Sequence, residues 1–85
     1  MPVVSRFFGI IIKMEYREHN PPHFHAEYNE CKASVDFNGN VISGNLPPKQ
    51  EKFVSVWAEI HRDELYANWE FARVNGDLVY ILPLR

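Results

Sequence analysis

The stretch from His19 to Tyr28 constrains the fold more than any other part of this 85-residue sequence. It reads HNPPHFHAEY and contains three of the four histidines in the chain. Its Asn-Pro-Pro segment excludes a helix, because proline lacks a backbone N–H and pushes the preceding residue into extended conformations. The next six residues alternate between apolar and polar side chains, which predicts a β-strand with one apolar face. The opposite face carries His23, His25 and Glu27.

A second alternating segment, residues 31–37, predicts the partner strand of a hairpin. We expect Asn29 and Glu30 to form a two-residue loop, so that Tyr28 faces Cys31. In this register apolar side chains oppose apolar ones, whereas a shift of one residue would oppose unlike faces. The predicted pairs on the polar face are Glu27 with Lys32, His25 with Ser34, and His23 with Asp36.

The remaining segments predict further strands and a long helix. Residues 7–16 are rich in β-branched and aromatic side chains and predict a strand, and residues 41–43 predict a short one. Residues 49–74 contain no glycine or proline and predict a helix, followed by a short C-terminal strand over 78–82. The sequence therefore predicts one α+β domain over 1–85, an antiparallel meander of three or four strands with a long C-terminal helix packed on one face.

Two apolar stripes run along the predicted helix, rotated from each other by roughly 120–140°. Either the helix breaks near His61 and Asp63 caps a second helix, or one long helix places its second half on a partner. We favour one long helix. Its second stripe, together with the apolar tail over 78–82, predicts a partner surface that a homodimer would use. The first stripe is Phe53, Val56, Trp57 and Ile60, and the second is Leu65, Trp69 and Ala72.

Composition and charge narrow the classes of function. Cys31 is the only cysteine, so no intramolecular disulfide can form, and we expect a cytoplasmic protein. No run approaches the roughly 18 apolar residues of a membrane span, so no membrane partner is expected. The net charge of −2 argues against a broad nucleic-acid surface and leaves only a local basic patch for binding RNA.

The two imidazoles on one strand face predict acid–base chemistry. A pair of histidines supplies a base and an acid near neutral pH, which phosphodiester transfer from a ribose 2′-OH requires. Asp36, opposite His23, would fix the tautomer of that ring, and Glu27 completes the candidate catalytic set with His23 and His25. The candidate phosphate-binding side chains are Lys13, Arg17 and Lys32.

The same histidines also fit a metal site, as an alternative. A His-x-His pair on a strand directs two imidazoles toward one point, and His19 or Glu27 would be the third ligand. Zinc or another divalent ion would then be bound by His19, His23 and His25, and no other cofactor is expected. A third interpretation is a solvated sheet face without chemistry. We favour catalysis over metal binding, because the spacing fixes no third ligand.

Three segments, residues 5–10, 19–28 and 57–69, closely resemble a family of small bacterial proteins, domain of unknown function number 4160. The likeness extends over essentially the whole chain. It implies a DhiT-like toxin of a type II toxin–antitoxin module, which binds a cognate antitoxin encoded nearby. Both an enzyme acting on RNA and a non-catalytic module acting only through its partner remain open. The matching positions are His19, Asn20, Pro21, Pro22, His23, His25, Glu27, Trp57, His61, Glu64 and Trp69.

Overall fold

The structure, a computed structural model, describes residues 2–84, so Met1 and Arg85 of the predicted domain lie outside the described residues. Five antiparallel strands form one sheet in sequence order, and two helices follow. This confirms the α+β class and the meander, with more strands than the predicted three or four. The elements are β1 Val3–Phe7, β2 Ile10–Lys13, β3 His23–Tyr28, β4 Cys31–Asp36, β5 Val41–Gly44, α1 Pro48–Ile60 and α2 Arg62–Arg73.

The strand predicted over 7–16 is partly wrong, because a turn divides this segment from β1. Phe7 pairs with Ile10 across a two-residue loop. Phe8 and Gly9 in that loop have φ values of 50° and 79°. Left-handed residues at both loop positions match the twist of paired strands, so the chain reverses here. The first strand of the sheet therefore comes from residues before the predicted segment.

The predicted register of the β3–β4 hairpin is confirmed at every pair. Tyr28 pairs with Cys31, and Asn29 in the loop between them has a φ of 52°. Phe24 and Val35 face each other and are fully buried. The alternation of apolar and polar side chains therefore separates the core from the polar face as expected.

The prediction of one continuous helix is wrong, because the chain breaks at His61. This residue has φ −107° and ψ 24°, outside the helical region, and it separates the end of α1 from the start of α2. Asp63 does not cap the second helix, since His61 occupies the N-cap position and no side chain bonds there. The interruption is confined to this residue, because the N–H of His61 still donates to Trp57 and the N–H of Leu65 to His61, both at 3.0 Å.

The second apolar stripe packs into the core of the same chain. Leu65 and Trp69 are 0% and 4% exposed. Trp69 meets the ring of Phe37 edge-on, with ring centroids 6.0 Å apart. Trp57 of α1 meets Phe24 in the same way at 5.5 Å. The stripe is therefore not a partner surface, and the homodimer stays a prediction without this support.

The C-terminal segment over 78–82 forms no regular strand in the part of the chain that the structure describes. Single hydrogen bonds to β1 and α2 fix the position of this segment instead. The N–H of Ile81 donates to the carbonyl oxygen of Val4 at 2.7 Å. The buried amide of Asn68 binds Val79 twice, accepting from its N–H at 2.9 Å and donating to its carbonyl oxygen at 2.8 Å. The tail is thus fixed between α2 and β1. Neither helix described between residues 2 and 84 is long and apolar enough to cross a membrane.

Candidate functional site

His23 and His25 lie together on the polar face of β3. Their ring centroids are 5.1 Å apart, in an edge-to-face arrangement. Their side chains are 12% and 25% exposed, so both are partly shielded from water. Phe24 between them points into the core. The strand alternation thus brings both rings to one place.

Glu18, in the loop between β2 and β3, reaches both imidazoles. Its Oε2 lies 2.7 Å from Nε2 of His23, and its Oε1 lies 3.7 Å from Nε2 of His25. One ligand atom from each of the three residues lies within 4.8 Å of the others, and this is the only such group found among residues 2–84. Sequence reasoning missed this residue. The one available signal was a carboxylate shortly before the Pro-Pro turn.

Both ring nitrogens of His23 have a partner. Nδ1 lies 2.7 Å from the carbonyl oxygen of Pro21, which can only accept, so Nδ1 carries a hydrogen. Nε2 faces a carboxylate oxygen of Glu18, which also only accepts when ionised. A hydrogen or a cation must therefore lie between Nε2 of His23 and the carboxylate.

His25 is held on one side only. Its Nδ1 lies 3.4 Å from the hydroxyl of Ser34, its partner on β4. Its Nε2 is buried and has no hydrogen-bond partner among the described residues. The Glu18 oxygen at 3.7 Å is too distant for a hydrogen bond. Leaving a buried polar atom unpaired lowers the free energy of unfolding by about 1–3 kcal/mol. A proton donor or an ion at this nitrogen would remove that cost.

Asp36 is opposite His23 in the sheet, as predicted, but its carboxylate is engaged elsewhere. Its Oδ1 accepts the backbone N–H groups of Asn38 and Asn40, both at 2.9 Å. Both ring nitrogens of His23 already have other partners. The role of fixing the tautomer therefore falls to the Pro21 carbonyl.

Glu27 and His19, the other candidate ligands, do not belong to the group around Glu18. Glu27 accepts a hydrogen bond from Nζ of Lys13 at 3.1 Å. His19 is exposed in the loop before the Pro-Pro turn. The predicted set of three histidines is thus replaced by two histidines and a carboxylate.

The three predicted phosphate-binding side chains have different surroundings. Lys13 pairs with His25 across the β2–β3 ladder, but its ammonium binds Glu27. Arg17 is exposed, with a φ of 57°. Lys32 is exposed and is the one of the three that lines a groove on the polar face.

That groove has a volume of about 270 Å³ and opens beside His25, along β3, β4 and the end of β5. At its rim Gly44 has a φ of 76°, and a Cβ there would collide with the carbonyl oxygen of Lys32. A molecule in the groove would lie next to His25, whose ring centroid is 5.1 Å from that of His23. The polar side chains of its lining are His25, Glu27, Lys32, Ser34 and Ser43.

A second histidine–carboxylate pair lies at the junction of the helices. Nδ1 of His61 is 2.6 Å from Oε1 of Glu64, and its ring lies 5.6 Å from that of Trp57. No third potential metal ligand joins this pair within the described chain. We interpret it as a structural contact at the helix break.

The fold and the site define a small α+β domain with a histidine and carboxylate centre on the polar face of an antiparallel sheet. Residues 9–70 match the family described as "Domain of unknown function (DUF4160)". The match covers most of the sequence, and the chain belongs to this family. No curated protein and no solved structure gives a significant match.

Proposed function

We propose that this protein is the toxin of a bacterial type II toxin–antitoxin pair and that it cleaves RNA at the polar face of its sheet. Its setting is the cytoplasm, where an antitoxin encoded nearby would bind it. The observation that carries the proposed activity is Nε2 of His25, which has no hydrogen-bond partner among the described residues and belongs to a side chain that lines the groove. An unpartnered imidazole nitrogen can accept a proton once a substrate reaches it.

The two imidazoles have complementary surroundings for this reaction. Nε2 of His25 takes the proton of a ribose 2′-OH, whose oxygen then forms a bond to the adjacent phosphorus. His23, in its cationic form, protonates the departing 5′-oxygen as the old bond breaks, and Glu18 lies 2.7 Å from its Nε2. The products are a 2′,3′-cyclic phosphate and a 5′-hydroxyl. Glu18 stabilises the cationic form of His23 by a charge-assisted hydrogen bond.

The groove sets the class of substrate. Its volume of about 270 Å³ lies just below the range of about 300–1,000 Å³ typical of ligand pockets. This space suits one nucleotide of a single strand better than a duplex. Lys32 supplies a cation for the phosphate, and Ser34 and Ser43 supply hydroxyl groups.

The test combines growth and chemistry. Wild type, His23→Ala and His25→Ala are induced in bacteria lacking the antitoxin gene, with His19→Ala as a control for an exposed histidine of the same stretch. We expect growth arrest with wild type and the control only. Purified wild type should convert a single-stranded RNA to fragments ending in a 2′,3′-cyclic phosphate. Folded His23→Ala and His25→Ala variants that remain as toxic as wild type would contradict the proposal.

A second candidate is a non-catalytic binding module that acts only through its partner protein. It is favoured by the pairing of Lys13 with Glu27, which leaves Lys32 as the one candidate cation in the groove. In that case purified protein would leave RNA intact, and the histidine variants would lose binding to the antitoxin. Titration of the antitoxin into wild type and His25→Ala distinguishes the two candidates.

A further inference from the structure

We propose that Glu18, His23 and His25 form a binding site for a divalent transition-metal ion, with zinc as the expected occupant. A bound ion would occupy the two nitrogens that the proposed RNA chemistry uses, and would therefore inhibit that chemistry. The inhibition rests on the proposed function. The binding of the ion rests on the geometry of the three side chains alone.

The three side chains come close to the spacing of a metal site. In a tetrahedral zinc site with bonds of about 2.0–2.1 Å, neighbouring ligand atoms are about 3.3–3.5 Å apart. Oε2 of Glu18 lies 2.7 Å from Nε2 of His23, its Oε1 lies 3.7 Å from Nε2 of His25, and one ligand atom from each residue lies within 4.8 Å of the others. Binding of one ion by all three side chains would need a small movement of the Glu18 carboxylate. That carboxylate lies on a loop, whereas both imidazoles are fixed on β3.

The second nitrogen of each ring is already oriented. Nδ1 of His23 donates to the Pro21 carbonyl, and Nδ1 of His25 lies near the Ser34 hydroxyl. Partners of this kind fix the tautomer of metal-binding histidines and turn Nε2 toward the ion. The unpartnered Nε2 of His25 is a second, independent sign, because an ion would satisfy it.

The donor set indicates the kind of ion. Two imidazole nitrogens and one carboxylate oxygen suit zinc and neighbouring transition metals, whereas magnesium prefers an octahedron of oxygens. Three protein ligands leave one position open on a tetrahedral ion. The His61–Glu64 pair provides an internal comparison, because it has the same chemistry but no third ligand within residues 2–84.

Binding by the ion and acid–base chemistry exclude each other. A ligand nitrogen uses its lone pair for the metal, so His25 can no longer accept the 2′-OH proton. The ion also takes the place of the hydrogen between His23 and Glu18, so His23 loses the proton that it would donate. Zinc would therefore act as an inhibitor of the same site.

The experiment starts from the full chain stripped of metal with a chelator. Calorimetric titration with zinc chloride should show one ion per chain, and titration with magnesium chloride should show none. At a zinc concentration of about 100 times Kd, the melting temperature should rise by about 10–20 °C. Cobalt(II) in place of zinc should give the visible absorption of a four-coordinate ion.

Matched variants assign the ligands. Glu18→Gln and His25→Ala should each weaken zinc binding at least 10-fold, whereas His19→Ala and Glu64→Gln should bind zinc as wild type does. Circular dichroism of each variant checks that the fold is retained. Absence of zinc binding by wild type, or equal binding by His25→Ala, would overturn the site.

A separate arm tests the inhibition. RNA cleavage by wild type should fall as zinc saturates the site, and a rise in cleavage would overturn the inhibitory role. If zinc does not bind while His23→Ala and His25→Ala abolish toxicity, the metal site fails and the proposed function stands. If zinc binds while both variants stay toxic, the proposed function fails and the metal site stands.

Discussion

The indole of Trp69 packs against the imidazole of His23, with ring centroids 5.7 Å apart and an interplanar angle of 54°. Trp69 lies on α2 and is almost fully buried. The contact joins the packing of the second helix to the position of a candidate site residue. Because His23 also binds Glu18 and the Pro21 carbonyl, its ring is held by the helix, the loop and the strand together.

A smaller ring at position 69 should therefore affect both stability and the site. Trp69→Phe should lower the free energy of unfolding by about 1–2 kcal/mol, less than the 3–5 kcal/mol typical of truncating a buried aromatic side chain to alanine. It should also weaken zinc binding several-fold. Urea denaturation and calorimetry measure the two effects.

Trp57→Phe provides the matched control, because Trp57 is buried against Phe24 and its indole N–H binds the Leu82 carbonyl oxygen. This variant should be destabilised at least as much but should bind zinc normally. Equal loss of zinc binding in both tryptophan variants would show that general loosening of the fold, and not the contact with His23, is responsible.

The amide of Asn68 should be essential for holding the C-terminal tail. Asn68→Ala leaves both the N–H and the carbonyl oxygen of Val79 without their partner, at a cost of about 2–3 kcal/mol. The exposed Asn45 supplies the control, since Asn45→Ala should change stability by less than about 0.5 kcal/mol. Native-state hydrogen exchange should show lost protection of the Val79 amide in Asn68→Ala. Unchanged protection would mean that the tail is fixed by other contacts.

Gly44 should tolerate no side chain. Its φ of 76° is unfavourable for other residues, and a Cβ would meet the carbonyl oxygen of Lys32. Gly44→Ala should therefore destabilise the protein by about 2 kcal/mol or more. At Gly76 the nearest atom to an added Cβ is 3.3 Å away and φ is not left-handed, so Gly76→Ala should cost less than about 1 kcal/mol. Thermal unfolding of both variants tests this, and equal losses would contradict the close approach of β5 to β4.

The β3–β4 hairpin could be predicted because its two faces differ in chemistry. A shift by one residue would place Phe24 and Ala26 against polar partners, and the two-residue loop excludes a shift by two, so alternation and loop length together determine which residues pair. The β1–β2 turn gave no comparable signal. Phe8 adopts a left-handed conformation that the sequence pattern does not indicate for a phenylalanine, and the segment looked like one strand.

The errors elsewhere arise from tertiary contacts. No glycine or proline marks the helix break at His61. The burial of Trp69 stabilises the structure that contains the break, and the local sequence does not show this contact. The tail lies close to β1 but is held by Asn68, which no strand pattern reveals. The position of Glu18 also depends on tertiary contacts. It lies in a loop, and a loop has no repeating pattern of apolar and polar residues from which its position could be predicted. The sequence therefore predicted the two histidines that β3 contributes to the candidate site, but not Glu18, which the loop contributes.

The last prediction separates the role of Glu18 from that of Lys32 in RNA cleavage. Glu18 contacts the imidazoles and does not line the groove, whereas Lys32 lines the groove. Glu18→Gln keeps a hydrogen-bond acceptor for His23 but removes the charge that favours its cationic form. It should lower kcat about 10–100-fold, a part of the 100–10,000-fold that acid–base catalysis contributes, with little change in KM.

Lys32→Gln should do the reverse, because a cation that binds phosphate equally before and during reaction affects substrate binding alone. We expect KM to rise several-fold while kcat stays within about 2-fold of wild type. Steady-state kinetics on a short single-stranded RNA, in buffer free of zinc, measures both constants. If Glu18→Gln instead raised KM and Lys32→Gln instead lowered kcat, the assignment would be reversed, with Glu18 acting in substrate binding and Lys32 in the chemical step. Such a result would move the reacting phosphate away from the imidazoles and toward the far end of the groove.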